Sequence, residues 1–74
     1  MSILPGVSGR KVVLALEKYG YEKDRQKGSH IVMRQTTSPY RRVVVPDHQE
    51  IAKGTLRAII KQTGLTVEEF NKII

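Results

Sequence analysis

Residues 30–46, HIVMRQTTSPYRRVVVP, decide how this chain folds. In the first six positions Ile31 and Met33 fall on one side of an extended chain while His30, Val32 and Arg34 fall on the other, which is the period of a strand buried on one face. The next five, TTSPY, are turn formers, and RRVVVP is β-branched until Pro46 removes a backbone donor and stops the run. Two antiparallel strands joined as a hairpin are the predicted result. If the aliphatic pair points at the core, His30 points outward together with Arg34.

Working back toward the N-terminus, residues 21–27, YEKDRQK, also alternate, and simple alternation places Tyr21, Lys23, Arg25 and Lys27 on one face with Glu22, Asp24 and Gln26 on the other. So polar a strand belongs at the edge of a sheet. Before it, VSGRKVVLALEKYGY (7–21) repeats apolar residues at Val12, Ala15, Leu16 and Tyr19, the spacing of one helical face. Ser8 is the predicted N-cap, Val7 and Val12 the predicted staple across it, and Gly20 the residue that ends the helix. This predicts a helix over about 8–19.

Beyond Pro46, DHQEIAKGT is a polar loop leading into LRAIIKQTG, where Leu56, Ile59 and Ile60 make an apolar face and Gly64 closes a second helix. Lys53, Arg57 and Lys61 stand four apart as a basic stripe, an arrangement that is more often a solvated helix face than a binding site. In LTVEEFNKII, Thr66 and Glu69 have capping-box spacing and Leu65 and Phe70 staple spacing, so a short terminal helix is expected. The predicted order is helix, three strands, helix, helix. That is an α+β fold with helices on one face of an antiparallel sheet and the other face open to a ligand.

Composition narrows the function. At 74 residues the chain is read as one domain, 1–74, small enough that only about 60% of the unfolded surface is buried. Thirteen Lys and Arg against seven Asp and Glu give a net charge of +6, which favours a polyanionic partner, nucleic acid before an acidic protein surface. There is no Cys, so disulfides and thiolate metal sites are excluded, and the two histidines are not accompanied by HExxH or a carboxylate cluster. No metal or other cofactor is expected. Walker A, GxGxxG and GxSxG motifs are missing too, and Ser29 next to His30 is not how a nucleophile and its base usually meet. Pro5 and Gly6 interrupt the N-terminal apolar residues where a signal peptide needs a continuous run, and no window is long enough to span a membrane. A cytoplasmic location without membrane partners is expected.

The reaction class that needs fewest protein groups is RNA cleavage, because RNA carries its own nucleophile, the 2′-OH. A base for that proton, positive charge near the phosphorus and an acid for the departing oxygen complete the requirement, and imidazole titrates in the right range for base or acid. His30 has the neighbours for this. Lys23, Arg25, Lys27 and Arg34 would bind phosphates, Gly28 would admit an RNA backbone, and Ser29 completes the set. On pattern alone the plainer readings stand beside it: an exposed histidine at a strand start, a lysine-rich edge that discourages aggregation, and a His48 that bonds backbone in its loop. A noncatalytic RNA-binding module and a protein-interaction domain stay open for the same reason.

The segments SGRKVVLALEKYGYEKDRQKGSHIVMR (8–34) and RRVVVPDHQEIAKGTLRAIIKQTGLTVEEF (41–70) resemble the HicA toxin family of bacterial toxin–antitoxin systems. The resemblance is carried by Gly28, Ser29 and His30, by Val45, Pro46 and His48, and by Gly54 through Arg57, in that order and spacing. It implies a double-stranded-RNA-binding-domain-like fold, ribosome-independent cleavage of mRNA that arrests translation, and neutralisation by a HicB antitoxin. It also implies that His30 is the catalytic residue. Many members carry a second histidine directly after the first, and here that position is Ile31, which by alternation faces away from His30.

Overall fold

A computed structural model describes residues 4–74. The chain runs α1 (Gly9–Lys18), β1 (Tyr21–Lys27), β2 (His30–Gln35), β3 (Arg42–Pro46), α2 (Lys53–Thr63) and α3 (Val67–Ile73). The strands form one antiparallel sheet in the order β1-β2-β3, so the polar strand is at an edge as its composition requires. This is the α+β architecture that the hydrophobic patterning predicts.

The caps form where the local chemistry places them. The Ser8 side chain accepts from the Lys11 N–H at the start of α1, and Gly64 closes α2 in the left-handed conformation at φ 79°. At α3, Thr66 and Glu69 make a reciprocal capping box, each side chain accepting from the other's backbone N–H. The isoleucines at the C-terminus are half-buried and pack on the core.

The core lies between the helices and one face of the sheet. Val12 and Leu16 of α1, Met33, Val43 and Val45 of the sheet, Leu56 of α2 and Phe70 of α3 are all fully buried. Each such side chain contributes about 1.5–3 kcal/mol by leaving water, so this layer, not the surface ion pairs, holds the fold together. Among the described residues no helix covers the opposite face of the sheet. There His30 is exposed, Val32 is half-buried and Val44 keeps 45% of its surface in solvent.

Two expectations fail: Tyr19, grouped by spacing with Val12, Ala15 and Leu16, is the C-cap of α1 and keeps 45% of its surface in solvent because the helix ends before it, and the alternation of β1 does not hold. Strict alternation would put Lys23, Arg25 and Lys27 together, but Lys23 pairs with Met33 whereas Arg25 pairs with Val32, leaving Asp24 as an extra residue in a β-bulge. A one-residue insertion reverses the faces of everything after it. Tyr21 and Lys23 therefore lie on the helix side, and Arg25 and Lys27 lie on the open face with His30. The physical cause is the two ends of the strand: Tyr21 is 3% exposed and belongs to the core, while Lys27 sits opposite exposed His30, so both ends are accommodated only if the phase changes between them.

Candidate functional site

Gly28 and Ser29 form the two-residue turn between β1 and β2. Gly28 adopts φ +59° and Ser29 is not in the left-handed region, the pattern of a type II′ turn, in which glycine is favoured at the first position. A side chain at Gly28 would meet open space, so what the position demands of glycine is its backbone angle. Both turn carbonyls are engaged within the protein. The Gln26 side-chain amide donates to the carbonyl of Gly28 at 3.0 Å, and the Asp47 N–H donates to that of Ser29 at 2.6 Å. The Ser29 hydroxyl and the His30 imidazole have no hydrogen-bond partner among the described residues.

The bond from Asp47 ties the Gly-Ser-His turn to the loop after β3. His30 pairs with Pro46 across the sheet, and two residues further on the His48 carbonyl accepts from the Gly9 N–H at 2.9 Å. Next in the loop, the Ile51 N–H donates to the Val7 carbonyl, also at 2.9 Å. The result is a surface depression of about 360 Å³. His30 and Val44 reach it from the sheet, Pro46 and His48 from the end of β3 and its loop, and Ile51, Ala52 and Thr55 from the approach to α2 and its first turn.

Among the described residues no carboxylate lines this depression. Ala52, the residue before α2, offers no side-chain cap, and the first turn of α2 contains no acidic residue. Both features keep the local field favourable to an anion. Among the described residues no group of three or more His, Cys, Asp or Glu is placed to hold a metal ion.

The basic residues named from the sequence divide into three groups. Arg25 and Lys27 share His30's face, are exposed, and have no ion-pair partner among the described residues. Arg34 also lies on that face, but four residues along β2, about 13 Å from His30 at the strand rise, and its guanidinium contacts Glu22 at 3.3 Å. Beside it Arg42 reaches across β2 to Asp24 at 3.1 Å, so this end of the face is a network of paired charges. Lys23 is on the other side of the sheet, lining a groove of about 250 Å³ with Arg10, Leu14 and Gln26. Of the helical stripe, Lys53 donates to the Leu4 carbonyl at 2.7 Å, while Arg57 and Lys61 are solvated.

His48 lines the same depression as His30, a placement not read from the sequence. Its imidazole bonds no backbone group among the described residues; only its carbonyl is engaged. The signal was in the hairpin register, which sets Pro46 opposite His30 and so brings the residue two positions later to the same end of the sheet.

Fold and site together define a small basic α+β protein, with helices on one side of a three-stranded antiparallel sheet and an exposed histidine on the other. The family model of the HicA toxin of bacterial toxin–antitoxin systems matches residues 9–65, from the first residue of α1 to just past α2. The chain belongs to the HicA toxin family, and with that it is the toxin component of a toxin–antitoxin system, with an antitoxin as partner. No curated protein matches the chain. Among the described residues no helix is long and apolar enough to cross a membrane.

Proposed function

We propose that this toxin is a ribosome-independent, metal-independent endoribonuclease that cleaves mRNA, with His30 as a proton-transfer residue, and that a HicB-type antitoxin neutralises it. The observation that carries this reading is the position of His30: exposed at the rim of a depression that no carboxylate lines among the described residues, with Lys27 directly across the strand pair and Arg25 on the same face.

The chemistry follows from what RNA brings. Its 2′-OH is an internal nucleophile, so the protein must orient the phosphodiester, supply positive charge where the phosphorane gathers negative charge, and move protons. Arg25 and Lys27 have charge to offer because among the described residues no carboxylate holds them. Gly28 and Ser29 present the turn beside His30, with the Ser29 hydroxyl free to bond a phosphate oxygen. Arg34 and Lys23, from their positions, act on strand segments further from the cleaved bond or on the other face.

The test is cleavage of a long single-stranded RNA in EDTA by the native chain and by His30→Ala. The native protein is expected to cut, leaving 2′,3′-cyclic phosphate ends, and the variant to fold normally with cutting reduced by at least ~10²-fold, the low end for loss of one positioned proton transfer. Full cleavage by His30→Ala would refute the assignment. No cutting by folded native protein would make the chain an RNA-binding module instead.

A further inference from the structure

Cleavage through the 2′-OH needs two proton transfers on opposite sides of one phosphorus atom, and His30 supplies one. We infer that His48 is the second proton-transfer residue, acting across the same depression; this rests on the RNase reading above.

The two histidines reach the depression from different parts of the chain, His30 from the start of β2 and His48 from the loop beyond β3. An in-line displacement asks for two proton-transfer groups within reach of one phosphorus, because the attacking and leaving oxygens lie on its opposite sides, and both histidines line the one depression. Both side chains are exposed, and neither imidazole has a hydrogen-bond partner among the described residues, so both rings are available to substrate.

The backbone carrying His48 is held tightly for a loop. Pro46 is buried, the Asp47 N–H bonds Ser29, the His48 carbonyl is bonded by Gly9, and Ile51 bonds Val7. A fixed main chain with an unengaged imidazole suits a positioned reactive group better than a structural one.

The alternatives nearby are already committed or unsuited. Asp47 contacts Arg10 of α1 at 3.4 Å, Lys53 of α2 is bonded to the Leu4 carbonyl, and the Thr55 hydroxyl does not titrate near neutral pH. Lys27 and Arg25 of β1 carry the positive charge on His30's side. Of the side chains lining the depression, His48 is the remaining one of a type suited to general acid–base work.

The step balances without a co-reactant. One imidazole removes the 2′-OH proton as the 2′-oxygen bonds phosphorus, the bond from phosphorus to the 5′-oxygen breaks, and the other imidazolium gives its proton to that oxygen. The products are a 2′,3′-cyclic phosphate and a 5′-hydroxyl, and the pair resets by exchanging protons with water.

The test compares cleavage of a long single-stranded RNA from pH 5 to 9 by the full native chain, His48→Gln and His48→Gly, the last with and without added imidazole. The native profile should be bell-shaped. His48→Gln should bind RNA within about threefold of native but cut ~10²–10⁴-fold more slowly and lose one limb of the bell, and imidazole should restore cutting to His48→Gly. Cleavage by His48→Gln within about threefold of native, both limbs surviving in it, or no rescue of His48→Gly by imidazole would each overturn the proposal. Failure of the native protein to cut at all would instead sink the RNase reading, and it would be seen before any variant is compared.

Discussion

At the scale of single residues, Gly9 shows how much of the site depends on one missing side chain. It opens α1, is buried, and donates to the carbonyl of His48. A Cβ there would fall on the Pro46 carbonyl oxygen and lie 2.9 Å from its carbon and 3.1 Å from the Asp47 Cα, all backbone atoms that cannot swing aside. Alanine would gain up to about 1 kcal/mol of helix propensity, but pushing two main chains apart costs about 1–3 kcal/mol, so the strain wins. Gly9→Ala is expected to lower the thermal midpoint by several degrees and to reduce cleavage beyond the loss of folded protein, because the loop that moves carries His48. Thermal melts with activity measured well below the transition check both; an unchanged midpoint would mean the two segments separate freely.

Among the elements, α3 and β1 show opposite relations between sequence and structure. The Thr66–Glu69 spacing is local and its capping box forms as read, with the Thr66 N–H bonded to the Glu69 carboxylate at 2.8 Å. That bond, with a smaller contribution from the Thr66 hydroxyl, holds the Glu69 carboxyl below its usual pKa. A carboxyl lowered in the folded state stabilises the fold at pH above its unfolded value, and the contribution is lost as pH falls through the folded one. Stability is therefore expected to decline on acidification below the normal carboxylate range, and Glu69→Gln to show a shallower decline than native in melts over pH 2–7; identical slopes would remove the cap from the acid response. In β1 the alternation is equally visible but misleads, because the bulge at Asp24 is imposed by burial of Tyr21 at one end and by the partner strand along its length. Nothing within YEKDRQK marks where its phase reverses.

At the scale of the whole molecule, the two faces of the sheet separate charges that the sequence groups together. Arg25→Glu with Lys27→Glu is expected to weaken RNA binding and flatten its dependence on salt, since fewer counterions are released. Lys23→Glu, with the same kind of change on the helix side, should affect both much less. Affinity titrations at several salt concentrations decide this, and equal effects from the two variants would move the RNA off the open face. The sequence by itself determined the order of elements, the caps, most of the core positions within the helices and β2, though not that Tyr19 faces solvent, and the outward direction of His30, because each depends on residues within one or two turns of one another. It also carried the family signature, in motifs short enough to be read locally. Only the tertiary structure decided that Lys23 leaves the face of Arg25 and Lys27, that Arg34 is paired with Glu22, and that His48 shares a depression with His30. Those facts depend on strand register and on how α1 and the β3 loop meet, where contacts between distant segments outweigh the preferences of either segment alone.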